Sequence, residues 1–404
     1  MNSSLPLVSA VVPVFRSEDI LAKAIGSLLA QDLRDWEAII VDDGSPETSW
    51  RIIRAYAWID PRIRVIRRVH EGVCGTRNAG IAEAQGEFLM FLDADDWLEP
   101  DALSRLMGCC EAGGCAAAHG RFRYTLADGS PTEWTGGHST SAPLFDALSH
   151  SNVLSVPSSV LVRRSALCEI DGFDPGLAHC GDWDLWGRLA RHPGAIGHVD
   201  QIVTQYRMRP GSLSRNPRTL LRDAITVLRR IHLPDPRVRR PGSRFAGGAG
   251  TEQLASSIAH FAVYAAGLAA AGGQAELVDA VLELIPRWTR LSAQSAGEFL
   301  FYSLCFAHCC GPERAAEFWP GVAGDVRRLL LTLEDHSRTP GLADAAAQVM
   351  DQCGGGPVSE LPSVAEAPSV ANAAILTRSP AGHDTLSHDM LRVLAQRGRA
   401  HGGM

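Results

Sequence analysis

A chain of 404 residues with 46% hydrophobic and 21% charged residues is long enough for two globular domains and has apolar material for their cores. Its formal net charge of -7 supplies no electrostatic pull towards nucleic acid, and no such partner is expected. Lys23 is the single lysine, which excludes phosphate loops that need a lysine after a glycine-rich turn and leaves Schiff-base chemistry only a residue inside a helical pattern.

Residues 1 to about 112 alternate strand and helix. Strands are expected over residues 8–15, 38–41, 63–68 and 88–92, and helices over 20–30, 48–56, 75–84 and 100–112, the last with Pro100 in its opening turn. Short apolar strands separated by helices specify a parallel sheet with both faces covered. Ligands of such sheets bind beyond the carboxyl ends of the strands. Asp42-Asp43-Gly44-Ser45 closes the second strand and Asp93-Ala94-Asp95-Asp96 the fourth, so both acidic clusters fall at that edge.

From about residue 116 to 214 the pattern is mixed, with strands expected over 116–124, 158–162 and 202–207 and a helix over 182–191. An arginine-rich stretch broken by Pro234, Pro236 and Pro241 follows, and beyond residue 251 the chain reads as helices over 252–270, 274–289, 293–310, 324–333 and 342–352. The expected organisation is an α/β domain over 1–215 (halves 1–112 and 113–215), a basic linker over 216–250, an α-helical domain over 251–353 and a flexible tail over 354–404, with a short amphipathic piece at 386–396. No uninterrupted apolar segment of about 18 residues is read, so no membrane span is expected.

The ten cysteines are scattered without a C-x-x-C pair, and the apolar run 5–15 lacks a basic lead and contains Pro6 and Pro13, so it reads as a strand rather than a secretory signal. Free thiols in a reducing cytoplasm are the expectation. Cys305, His308, Cys309 and Cys310 are the densest set of potential metal ligands, but they lie in an apolar helical stretch where small thiols are ordinary core residues.

Two carboxylates one residue apart on a strand project to the same side, and magnesium or manganese is held by one or two carboxylates together with substrate phosphate oxygens. Asp93 and Asp95 are placed to do this, although the same residues also suit a solvated turn before a helix. Asp42 can accept from a nucleobase N–H or a ribose hydroxyl, or serve an ordinary Asp-Gly-Ser turn. Arg77 opens a helix aimed at the same edge, where a guanidinium suits a diphosphate. Asp182 reads as a helix cap and Asp184 as a first-turn charge.

Taken in order, Val11-Val12-Pro13-Val14-Phe15, residues 36–45 (WEAIIVDDGS), Arg77-Asn78-Ala79-Gly80, residues 86–96 (GEFLMFLDADD), Gly172-Phe173-Asp174, residues 182–189 (DWDLWGRL) and Tyr206-Arg207 resemble the inverting glycosyltransferases of family 2. That resemblance covers roughly the first half of the chain. It implies a GT-A-type, Rossmann-like nucleotide-sugar-binding domain followed by an α-helical C-terminal region. It further implies that Asp42 reads the base, Asp93 lies near the ribose, Asp95 binds Mn2+ or Mg2+ on the diphosphate, and Pro13, Phe15, Arg77 and Ala94 complete the donor site. Asp182 is the implied base, with Trp183, Asp184, Arg207 and Arg209 as acceptor-side candidates. Two departures stand out: Gly181 where many relatives have Glu, and Arg209 where many have histidine.

The implied reaction is a single displacement that moves a sugar from a nucleoside-diphosphate sugar, UDP-linked by resemblance, to a hydroxyl of a glycan or lipid-linked acceptor in polysaccharide biosynthesis. It needs one base and no nucleophilic residue. The rival readings are a catalytically silent sugar-nucleotide or glycan-binding module and a nucleotidylyltransferase; the latter lacks its glycine-rich basic loop, since Pro13-Val14-Phe15-Arg16-Ser17-Glu18 follows the first strand. A cytoplasmic enzyme is expected. The stretch 207–244 reads either as a solvated basic linker or as a contact to anionic lipid on the inner membrane face.

Overall fold

The computed structural model describes residues 5–353 apart from 18–19, 141, 193, 213–214, 286–288 and 290. The tail and the amphipathic piece at 386–396 lie outside the described residues. The first half begins with β1 (Val8–Val14), α1 (Leu21–Leu29), β2 (Trp36–Asp42), α2 (Glu47–Ile59), β3 (Ile63–Arg67), α3 (Gly72–Glu83) and β4 (Phe88–Phe91), in the alternation read from the sequence. β3, β2, β1 and β4 lie side by side and run parallel. The register sets Val14 beside Asp42 and Val11 beside Phe91, so β1, β2 and the residues after β4 end at one edge.

The two-residue period of β1 separates two cores. Val8, Ala10, Val12 and Val14 face Leu21, Ile25 and Leu28 of α1, while Val11 faces the layer built on α3. Gly80 brings α3 hard against β1: a Cβ there would stand 2.2 Å from Val11 Cγ1. The helix can approach only because that position is glycine, and the approach fixes Arg77 one turn earlier.

β5 (Trp97–Leu98) and α4 (Ala102–Gly113) close the first half, and the mixed half contains β6 (Ala117–Thr125), β7 (Pro131–Gly136), α5 (Leu144–Leu148), β8 (Val160–Arg163), α6 (Arg164–Glu169), α7 (Gly181–Leu189) and β9 (Ile196–Arg207). β8 joins β4 antiparallel and extends the sheet through β6 to β9 and β5, with β7 beside β6. β9 starts six residues before the sequence pattern shows it, because Gly197, His198, Asp200 and Gln201 carry no apolar signal.

The expected linker is corrected. Pro217–His232 is a 16-residue helix, α8, capped by the Asn216 side chain on Thr219 N–H. Leu220, Leu221, Ala224, Ile225, Val227, Leu228 and Ile231 recur at helical spacing and are buried; the neighbouring arginines obscured that pattern. Five helices follow: α9 (Leu254–Ala271), α10 (Ala275–Leu282), α11 (Ala293–Ala307), α12 (Trp319–Ser337) and α13 (Leu342–Gln352). One core runs from Val11, Ile39 and Val41 through α7 and α8 into α9, α11 and α13. Contrary to the sequence reading, α9 is long and apolar enough by composition to cross a membrane, with 61% of its span buried by the rest of the protein.

Candidate active site

Three strand ends and α7 surround a cleft of ≈ 1270 Å³, above the roughly 300–1,000 Å³ of a typical small-molecule site and roomy enough for two substrates. Pro13, Phe15, Arg77, Asp93, Ala94, Asp95 and Asp182 all line it. Residues more than a hundred positions apart in sequence therefore meet in one cavity.

Asp93 and Asp95 each meet an arginine. Arg77 Nη2 donates to Asp93 Oδ1 at 2.6 Å, and Arg209 Nε donates to Asp95 Oδ2 at 2.7 Å. Burial, then repulsion from Asp93, pushes the Asp95 carboxyl above its ordinary range, against the pull of Arg209. Asp96 has a different task. Ser158 Oγ donates to its Oδ2 at 2.7 Å and Arg207 N–H to its Oδ1 at 3.2 Å, while Asp93 N–H donates to Ser158 Oγ at 3.1 Å. Asp96 thus ties the acidic loop to the turn before β8 and to β9, and burial followed by the charges of Asp95 and Asp93 holds it well above the usual carboxylate range.

The Arg-Asn and Gly-Phe-Asp motifs are one joint. Asn78 Nδ2 donates to Phe173 O at 2.8 Å and Phe173 N–H donates to Asn78 Oδ1 at 2.9 Å. The Arg77 guanidinium lies 5.2 Å from the Phe173 ring centre. This joint brings α3 to the segment that leads into α7, where Asp182 stands in the first turn. Asn152 Nδ2 donates to Asp182 Oδ2 at 2.9 Å. Burial raises the Asp182 pKa, opposed by the charge of Arg77 and the Asn152 bond. The Cys74 thiol, on the same cleft wall, is pushed up to about 11 by burial and stays protonated at neutral pH.

Gly181 has a steric cause. A Cβ there would lie 2.4 Å from Cys74 Sγ, and the next neighbour, Phe173 Cδ1, is at 3.7 Å. Cys74 fills the space through which a side chain at 181 would leave the helix.

Several sequence expectations are relocated. Asp42 is fully buried, its Oδ1 accepting from Ser45 N–H at 3.1 Å and its Oδ2 3.4 Å from Arg67 Nε; Asp43 lines the cleft instead. Asp43 accepts from Glu71 N–H and Gly72 N–H at 2.8 and 3.1 Å, capping α3, and its Oδ2 lies 2.8 Å from His70 Nδ1. His70 stacks on the half-exposed Phe15 at 4.5 Å. Asp184 is corrected as an acceptor-side residue: it is buried away from the cleft among Arg188, Arg230 and Arg237. Arg207 is corrected likewise, its guanidinium lying over Trp97, and Arg209 pairs with Asp95 of the acidic loop. Trp183 reaches the cleft wall and anchors by Nε1–H to Leu148 O at 2.8 Å. Sequence reasoning missed Asn152, Asp43 and His70, and also the far wall, to which α9 and α11 contribute Tyr264, Phe299 and Tyr302.

Several arginines of residues 207–244 pair with carboxylates of the same molecule. Arg230 and Arg237 hold Asp184, Arg222 pairs with Asp223 and Arg244 with Asp146, while Arg218, Arg239 and Arg240 are exposed.

Residues 9–170 match the sequence profile of glycosyl transferase family 2. Over those residues the α/β domain is similar to family 2 glycosyltransferases. Among relatives of this domain, EpsJ of Bacillus subtilis (strain 168), named an uncharacterized glycosyltransferase, is 42% identical over 102 residues, 25% of this chain and 30% of that protein. TuaG of the same organism, named a putative teichuronic acid biosynthesis glycosyltransferase, is 28% identical over 217 residues, 54% of this chain and 84% of that protein. The chain thus spans less than a third of EpsJ. A crystal structure of S. aureus TarS residues 1–349 in complex with UDP-GlcNAc aligns with 85% of this chain and 90% of that one at 15% identity and a TM-score of 0.46. The matched residues supply β2, β3, β4, β8, nearly all of β1 and part of the cleft, while Asp182 and Arg209 lie beyond residue 170.

No set of three His, Cys, Asp or Glu side chains among the described residues is arranged to hold a metal by itself. One or two carboxylates plus phosphate oxygens suffice for Mg2+ or Mn2+, and a carboxylate has two oxygens, so the single guanidinium bond to Asp95 does not exhaust it. The residues fit a divalent ion provided that a diphosphate completes its shell.

Proposed function

We propose that the protein is an inverting glycosyltransferase of polysaccharide biosynthesis, moving a sugar from a nucleoside-diphosphate sugar, UDP-linked by family resemblance, to a hydroxyl of a glycan or lipid-linked acceptor. The observation that carries this is the meeting of Asp93, Asp95, Arg77 and Asp182 in one cleft. The donor half consists of Phe15 with His70 as a flat stacking surface, Asp93 towards the ribose, and Arg77 beside the phosphates. A divalent ion at Asp95 would neutralise the diphosphate as it leaves.

Asp182 is the base. The acceptor oxygen attacks the anomeric carbon as the bond to the diphosphate oxygen breaks, and the hydroxyl proton passes to a carboxylate oxygen of Asp182. A raised carboxylate pKa makes Asp182 a stronger base than a solvated aspartate, yet still far too weak to ionise a free alcohol beforehand. Proton transfer therefore comes late in the displacement. Asn152 holds one oxygen of Asp182, which orients the other towards the acceptor, and the aromatic residues of α9 and α11 bound the space in which that acceptor lies.

UDP release from UDP-GlcNAc, UDP-glucose and UDP-galactose, with UDP binding measured alongside, tests this reading. Asp182→Asn should bind UDP as the wild type does while turnover falls about 10²–10⁴-fold; wild-type turnover in that variant would remove Asp182 from the chemistry.

A further inference from the structure

We propose that Arg209 is a resident counter-cation for Asp95, which gives up the carboxylate to a divalent ion only when a nucleoside diphosphate arrives to receive the guanidinium. The inference rests on reading the cleft as a nucleotide-sugar site and concerns how that site loads. Two observations carry it. The Arg209 guanidinium donates to Asp95 Oδ2 at 2.7 Å, so a carboxylate available to an ion already faces a positive charge. The described residues also provide no complete ligand set for a metal, so the ion needs phosphate oxygens to finish its shell.

The two partners are unequal. Asp95 is the more enclosed, with 18% of its side chain exposed, while Arg209 keeps 37% exposed on the loop after β9. The guanidinium therefore has solvent-side room to turn from the carboxylate towards a diphosphate in the same cleft. Arg77 has no such freedom: it is 7% exposed and stays on Asp93. An ion arriving alone meets an arginine it must repel; an ion arriving with a diphosphate brings the anion that draws the arginine off. Ion and nucleotide binding are consequently coupled, and the coupling is reciprocal. Arg209 also keeps Asp95 paired while the site waits for donor, which avoids an uncompensated carboxylate in a partly dry cleft.

Mn2+ binding to the full chain, followed by the electron paramagnetic resonance of free Mn2+ with and without UDP, tests the proposal; GDP is run in parallel. The wild type should bind Mn2+ weakly alone and strongly with nucleotide. Arg209→Ala should bind Mn2+ alone at least about tenfold more tightly than the wild type, because the competing charge is gone, and UDP should then tighten Mn2+ less. Arg209→Lys, which keeps the charge, should behave as the wild type. Equal Mn2+ affinity of the wild type and Arg209→Ala without nucleotide would overturn the counter-cation role while leaving the nucleotide site standing. Failure of the wild type to bind Mn2+ with either nucleotide would overturn both readings, and thermal unfolding of Arg209→Ala near that of the wild type certifies its fold.

Discussion

Placing alanine at position 181 tests the steric explanation for the missing side chain before Asp182. The new Cβ would stand 2.4 Å from Cys74 Sγ, more than an ångström inside an ordinary contact of about 3.5–4.0 Å. Cys74 is 2% exposed, so its sulfur has little room to give way. Overpacking of this kind costs about 1–3 kcal/mol, against which alanine returns at most about 1 kcal/mol of helix propensity. In a Cys74→Ala background the sulfur is gone and the nearest remaining neighbour is Phe173 Cδ1 at 3.7 Å, an ordinary contact. Gly181→Ala should then be neutral or slightly stabilising. The four proteins form a double-mutant cycle with a coupling of about 1–3 kcal/mol. Thermal unfolding reads it, at or below the low end of about 2–4 °C per kcal/mol for a chain this long. Gly181→Ala equally harmful in both backgrounds, or harmless in the wild type, would refute the reasoning. If the cycle holds, Gly181→Glu should fold well only together with Cys74→Ala.

Because burial raises the Asp182 pKa, kcat should fall as pH drops through a limb lying above the ordinary carboxylate value of about 3.9. Asn152→Ala removes a donor that favours the ionised form, so the limb should move to higher pH; a limb that stays put or moves down contradicts the assignment. At Asp184, burial alone would raise the pKa, but the Arg237 hydrogen bond and the charges of Arg188, Arg237 and Arg230 outweigh it and hold the carboxyl below its usual range. Asp184→Asn should cost about 3–5 kcal/mol in unfolding measurements at neutral pH. Stability from a depressed carboxylate is present above the unfolded pKa of about 3.9 and is lost as pH falls through the folded one, so the variant should show less acid-induced loss than the wild type.

The donor side was legible because its signals are local. β1, β2 and β4 are largely apolar runs that stop at one edge, and β2 and β4 lead directly into the acidic clusters, although Asp93 and Asp95 themselves lie in the turn after β4. What stayed hidden depends on contacts across the fold. Nothing in the sequence tells Asp42 from Asp43, yet one faces the buried strand side and the other caps α3. Asn152 sits in an irregular segment with no period to mark it, and it matters only because α7 brings Asp182 within 2.9 Å. Asp184 and Asp182 read alike as first-turn carboxylates; the position of Arg230 and Arg237, 46 and 53 residues later, decides that one is structural. Three of the arginines that suggested a linker, Arg222, Arg230 and Arg237, are partners for buried acids, which composition alone cannot reveal.

The arginine cage around Asp184 has a bearing on how the enzyme turns over. Asp184 and Asp182 share the first turn of α7, so three guanidinium groups that grip the one also immobilise the backbone of the other. If Asp182 is the base proposed above, its backbone is set in place before any substrate arrives, and little reorganisation is needed there when the bond breaks. The opposite bank is less enclosed, since Arg209, Phe15 and His70 keep solvent-facing surface. On the proposed reading the cleft is a vice with one fixed jaw: chemistry would be referenced to α7, and adjustment to substrate would fall to the side of Arg209, Phe15 and His70.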